Sequence, residues 1–149
     1  MKPLYFLAAI LILASGCSTT SDIVATPLAA GKQYHTAYLV AHGDKSSDVD
    51  SAIQRELFRR GFVMSSGAEG KPPENVDLLV RYADSWSWDV VMYLAKLDIQ
   101  MYEAKGGGMI ASASWKNSAL HGFYDLDKIA GELVGGMLQK LGVAPTGMR

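Results

Sequence analysis

Cysteine is almost absent: the 149 residues contain one, Cys17. A single thiol cannot close a disulfide within the chain, and a structural zinc site built on several cysteines is excluded with it. A surplus of one charge is lacking too. Fourteen Lys and Arg stand against fifteen Asp and Glu, a formal net charge of −1. No basic field exists to neutralise a phosphate backbone, so nucleic acid is not an expected partner. No long run of like charge exists to hold an acidic lipid surface. Nor does any apolar run reach the roughly 20 residues that span a bilayer core. Charged residues make up 19% of the chain, below the roughly 25% of average soluble domains. Hydrophobic residues make up 49%, which supplies a core and argues against a disordered protein.

Catalytic patterns are equally scarce. The three histidines, His35, His42 and His121, include no pair at the i, i+4 spacing of a helical zinc site. His42 with Asp44 could form a base and its orienter, but a polar turn at a strand end explains them more simply. Asp44, Asp48 and Asp50 lack the central glycine and terminal glutamate of a calcium loop, and helix-start charge accounts for them. No G-x-S-x-G elbow occurs. Gly106 to Gly108 is not followed by the Lys-Ser/Thr of a phosphate loop and reads as a hairpin turn. No motif calls for a cofactor or a metal, and a non-enzymatic protein is expected. A small periplasmic hydrolase would need a nucleophile and base that the sequence does not display.

What is present begins at the amino terminus. Lys2 is followed by ten apolar residues, Leu4 to Leu13, then by Ala14, Ser15, Gly16 and Cys17. This is the layout of a removable signal segment, 1–16, rather than of a stable span. Leu-Ala-Ser-Gly-Cys resembles the lipobox of bacterial type II signal peptides, with Ala14 where a large aliphatic residue is usual. That resemblance implies a diacylglycerol thioether on Cys17, cleavage before it, and a membrane partner reached through the lipid. Ser18 at the following place implies the outer membrane, periplasmic face, rather than the inner membrane. The mature chain keeps 13 basic and 15 acidic side chains, a charge of −2. Residues 17–32, poor in periodicity and rich in Ser, Thr and Ala, read as the lipidated cysteine and a flexible tether.

Residues 33–143 read as one α+β domain, and 144–149 as a tail. Tyr34 to Ala41 has the aromatic and β-branched content of a strand. A helix comes next, capped by Ser46 or Ser47 and ended by Gly61, with Val49, Ala52, Ile53 and Leu57 on one stripe. Phe62 to Met64 forms a short strand. Val76 to Trp88 alternates Val76, Leu78, Val80, Tyr82, Trp86 and Trp88 against Asp77, Arg81 and Ser85, with Asp84 as a polar intruder on the apolar face. Tyr93 to Glu103 alternates in the same way, and Met109 to Lys116 returns after the glycine turn. Leu126 to Leu141 is a second amphipathic helix, ended by Gly142. Gly135-Gly136 inside it costs about 1 kcal/mol per glycine relative to alanine, and close packing is the expected compensation. The order is β-α-β-β-β-β-α. A mostly antiparallel sheet of four to five strands with both helices on one face satisfies it. In element order, and in the Arg-Arg-Gly-Phe exit of the first helix, this domain resembles small periplasmic lipoproteins of the TolB amino-terminal and LptE-like form. No signature residue carries that likeness, so it brings no site residue.

Aromatic residues gather near Ser85 to Val91. Trp86 and Trp115 continue buried registers and are read as core. Trp88, at a strand end, fits core and contact equally, since a hairpin tip faces solvent and solvent does not reward an exposed indole. Trp88, Asp89 and Tyr93 are therefore the candidate partner-contact residues, with the turn placed over Asp89 to Tyr93. The expected function is a lipid-anchored binding or assembly module of the cell envelope with an envelope protein partner. An accessory subunit of an envelope transport or secretion complex is the alternative.

Overall fold

The computed structural model describes residues 19–30, 32–70, 72–118 and 123–143. Cys17, the signal segment, the 144–149 tail and His121 lie outside the described residues. Six strands and two α-helices succeed one another as β1 (Thr20–Ala25), β2 (Thr36–Val40), α1 (Ser47–Arg59), β3 (Val63–Gly67), β4 (Leu78–Asp89), β5 (Val91–Glu103), β6 (Met109–Lys116) and α2 (Leu126–Leu141). A 3₁₀ turn, Gly43–Lys45, joins β2 to α1.

The fold is α+β, as the alternation required. All six strands form one sheet in the order β1-β6-β5-β4-β2-β3. Four of them, β1, β6, β5 and β4, pair antiparallel. The short strand β2 runs parallel to both β3 and β4. One face carries Ala37, Leu39, Leu78, Val80, Tyr82, Leu97, Ile99, Met101, Ala111, Ala113 and Trp115, all buried. Those residues form one core with Val49, Ile53 and Leu57 of α1 and Ile129, Leu133, Met137 and Leu141 of α2. Both helices thus cover one face of the sheet, and the other face holds the polar set Arg81, Lys96, Asp98, Gln100, Ser112 and Ser114. Arg55 ties α1 to α2 by donating to Asp127 across 2.7 Å.

The sixth strand lies where a tether was expected. Thr20–Ala25 pairs along its whole length with β6, from Thr20 opposite Lys116 to Ala25 opposite Ala111. Ile23 packs against the core, the Lys140 ammonium donates to its carbonyl, and Ser21 Oγ donates to Glu132 across 2.7 Å. The physical reason also explains the paired glycines of α2. A side chain at Gly136 would collide with the tip of Ile23, and one at Gly135 with the guanidinium of Arg60. Each glycine opens room for a neighbour from a different element, so the compensation comes from α1 as well as from the sheet. Gly142 closes α2 in the left-handed conformation, φ 79°, a position at which glycine carries no Cβ penalty.

Two expected details change. Ser46 is the residue before α1, yet its hydroxyl makes no cap bond; it donates to Asp84 instead. The tip between β4 and β5 is one residue, Val90, so Val91 to Tyr93 belong to β5 rather than to a turn.

Candidate functional site

Strands β4 and β5 are 12 and 13 residues long, more than twice the length of β2. Their neighbours cover only part of them. β2 reaches β4 at Leu78 to Val80, and β6 reaches β5 from Tyr102 to Lys96. Beyond Ser85 and Lys96 the strand ladder joins only these two strands, with Asn117 donating to the carbonyls of Ala95 and Leu94 at the root, and they form an arm that leaves the body of the sheet. A bulge marks its root: Ser85 stands opposite Lys96 but Trp86 stands opposite Leu94, so Ala95 is the extra residue. An unpaired extra residue raises the local twist and re-aims the strand beyond it. The slip also corrects the expected alternation of β5. Leu94, not Tyr93 or Ala95, joins the inner face and is buried there.

On the arm, opposite residues share a face. Trp86 pairs with Leu94 and Trp88 with Met92; Ser87 pairs with Tyr93 and Asp89 with Val91. Two of the three expected contact residues, Asp89 and Tyr93, therefore lie on the face opposite Trp88. Exposure rises along the arm: Trp86 is 38% exposed, Met92 55%, Trp88 69% and Val90 83%. Trp115 is core at 3%, as its register required. Trp86 is not, because the arm has already left the helical layer that would cover it. Val90 and Met92 were not singled out in the sequence. The signal for them was Val90-Val91-Met92, three apolar residues at a turn that has neither Gly nor Asn.

Val90 adopts φ 65° and is the only non-glycine residue with positive φ among those described. A β-branched side chain in that region is a steric outlier. Such strain persists where surrounding structure over-determines it, and it clusters at functional positions.

A polar node braces the root. The Asp84 carboxylate, facing the core from β4, accepts from Ser46 Oγ at 2.7 Å and from Trp86 Nε1 at 2.6 Å. His42 Nδ1 lies 3.7 Å from the same group. The His42 ring stacks on Tyr82 with centroids 4.1 Å apart. Tyr82 donates its hydroxyl to Asp50 at 2.8 Å, and Asp50 also accepts from the backbone N–H of His42 and Gly43. Burial, and then the bond to Asp50, push the Tyr82 hydroxyl above its ordinary range. The node holds a serine, a histidine and an aspartate, but not in the order of a charge relay. There the base takes the serine proton, whereas Ser46 gives its hydrogen bond to the carboxylate. Asp84 is a carboxylate beside His42; the side chain of Asp44, which the sequence suggested, lies outside what is described. Among the described residues no group of three metal-ligating side chains converges.

The polar face has its own hollow of about 310 Å³, lined by Leu79, Arg81, Tyr102, Glu103, Ala104 and Gly107. Its charged groups are engaged locally. Arg81 donates to Glu69 at 2.6 Å. The Lys32 ammonium bonds Glu103, which raises the lysine and lowers the glutamate. Tyr102 donates to Gln100 at 2.8 Å.

No family model matches the chain, and a search of the curated proteins returns no match. Among solved structures, the PelC dodecamer from Paraburkholderia phytofirmans is similar at TM-score 0.58 and 15% identity, covering 85% of this chain and 99% of that one. A single-residue variant of the same dodecamer gives TM-score 0.57 and 14% identity, covering 85% and 98%. A PDZ domain protein from Parabacteroides distasonis reaches TM-score 0.43 at 14% identity, over 96% of this chain and 40% of that one. At these identities the PelC likeness is one of fold.

Proposed function

We propose that this chain is a lipid-anchored, non-enzymatic module of the bacterial envelope, held at the periplasmic face of the outer membrane through Cys17, and that the β4–β5 arm is its contact surface. The carrying observation is the arm itself. Trp88, Val90, Val91 and Met92 are presented to solvent on a hairpin whose root is fixed by Asp84 and Ser46. Large exposed aromatics on a rigid support are what contact surfaces use, because little side-chain entropy is lost when they are covered. Assembly with further copies is the second part of the reading. The PelC neighbours are dodecamers, and in this chain both outer strands, β1 and β3, leave a row of backbone donors and acceptors on which another copy can pair.

Cell fractionation of Cys17→Ser, with the native mass of the parent in mild detergent, tests the proposal. The variant should lose lipid-dependent processing and membrane retention, and the parent should run as an oligomer. A Cys17→Ser chain processed and retained like the parent would remove the anchor, and a monomeric parent would remove self-assembly.

A further inference from the structure

The register of the sheet puts the start of the folded domain and the tip of the arm at one end. Thr20 of β1 stands opposite Lys116 of β6, Lys116 opposite Lys96 of β5, and Lys96 opposite Ser85 of β4. These four residues form one line across the sheet. The chain leaves that line at Thr20 towards Cys17, only three residues away. The arm leaves it at Ser85 and runs to Asp89. Three residues of chain can span at most about 10 Å, and the four-residue arm extends about 13 Å.

Exposed apolar side chains are distributed unevenly about this line. Trp86, Trp88, Val90, Val91 and Met92 all lie beyond it. Tyr124, partly exposed, packs edge-on against Trp115 with ring centroids 5.5 Å apart, beside the same strand ends, and the exposed Phe123 precedes it. Val24, Phe58, Val63 and Met109 are exposed elsewhere, but both exposed indoles and the larger share of the exposed apolar side chains lie at the end that leads to Cys17. Tryptophan suits the boundary between headgroups and acyl chains, where its ring is apolar and its N–H stays wet. Valine at the strained tip places a second apolar side chain furthest out, where glycine would leave none.

We propose that the arm's occupant is the bilayer itself: Trp88, Val90, Val91 and Met92 enter the headgroup boundary of the same leaflet that holds the acyl chains on Cys17. This rests on the lipid-anchor reading above. It gives the module two attachments a short distance apart. A single lipidated residue lets a domain swivel; a second contact fixes its tilt and aims the polar sheet face and both sheet edges relative to the membrane.

The test uses the full chain purified with its lipid from its own membranes and reconstituted into phosphatidylethanolamine–phosphatidylglycerol vesicles. The lipids carry bromine near the glycerol end of the acyl chain, and tryptophan emission and vesicle flotation are both read. Three tryptophans contribute, so contact of Trp88 alone should remove about a third of the emission. That loss should fall severalfold in Trp88→Phe, leaving at most a small share from Trp86, and severalfold in Val90→Asp, both variants keeping the parent's circular dichroism. Protein that floats with the vesicles but shows no quenching overturns the bilayer contact and leaves the anchor reading standing. Quenching that persists undiminished in Trp88→Phe overturns it as well. A blue-shifted but unquenched Trp88 does the same, and shows the arm covered by another copy or another protein. Protein that does not float removes the anchor reading and the inference together.

Discussion

Strands β4 and β5 each contain two regions with the same chemistry and opposite fates. In the inner half, Leu78, Val80 and Tyr82 of β4 share one face with Leu97, Ile99 and Met101 of β5, Val80 opposite Met101 and Tyr82 opposite Ile99, and all six are buried. In the outer half, Trp86 and Trp88 continue the same face, opposite Leu94 and Met92, yet both indoles and Met92 are exposed. Residue type does not separate the halves, since the outer one carries the larger apolar side chains. The separation comes from the layer above them. The inner half sits under α1 and α2, whereas the outer half has passed the bulge at Ala95 and the Asp84 node and has no helix to pack on. Burial is a property of the layer, and the strand supplies only the alternation.

This contrast can be broken from either side. The largest effect is expected in the body. Leu57→Ala and Leu133→Ala remove fully buried side chains from the two helices and should each cost about 2–5 kcal/mol in urea denaturation. Smaller effects belong to the node. Tyr82→Phe deletes the buried hydroxyl that Asp50 accepts and should cost about 1–3 kcal/mol, because the carboxylate keeps its burial while losing a donor.

At the far end of β2, Asp77 gives a pH-dependent test. Burial alone would raise its pKa, but hydrogen bonds from the His35 and Thr36 N–H groups and the Thr36 hydroxyl outweigh that and lower it. A folded pKa below the unfolded one means the contribution is present above the ordinary aspartate range, near pH 4, and is lost as pH falls through the lowered folded value. Asp77→Asn should therefore cost about 1–2 kcal/mol at pH 7, and the two proteins should converge in stability towards pH 2. The smallest stability effect should be in the arm: Trp88→Ala should stay within about 0.5 kcal/mol of the parent, as exposed positions do. A loss as large as that of Leu133→Ala would erase the distinction between the two halves.

Much of the body was legible in the sequence. The stripe Val49-Ile53-Leu57, the alternation Leu78-Val80-Tyr82, and the stops at Gly61 and Gly142 are local signals, and local signals fix helices and long strands. Three features were not legible. Strand β1 has one large apolar residue beside Val24, namely Ile23, that reaches the core, too little to separate a strand from a tether; it is a strand because β6 offers an edge and Gly136 leaves room for Ile23. The bulge at Ala95 shifts the face of everything beyond it, and no residue type announces it. The node joins His42, Ser46 and Asp50 to Tyr82 and Asp84 across the start of α1, a tertiary meeting that spacing along the chain does not reveal. Of the expected contact residues, Trp88 is exposed at the tip, while Asp89 and Tyr93 lie on the arm's other face, since a turn of one residue rather than five sets the alternation.

Hydrogen exchange separates arm from body and reads the membrane's effect on each. The full chain from its own membranes, reconstituted on vesicles, is compared with Cys17→Ser in solution, and amide exchange is read separately for residues 86–94 and 97–101. Above the Asn117 bonds at its root the arm's ladder joins only its own two strands, so in solution its amides should exchange far faster than those of the buried body. On vesicles the arm should slow by at least about tenfold while 97–101 stay unchanged. An arm that exchanges at the same rate in both settings, or is already as protected as the body in solution, would rule out a contact arm covered at the membrane.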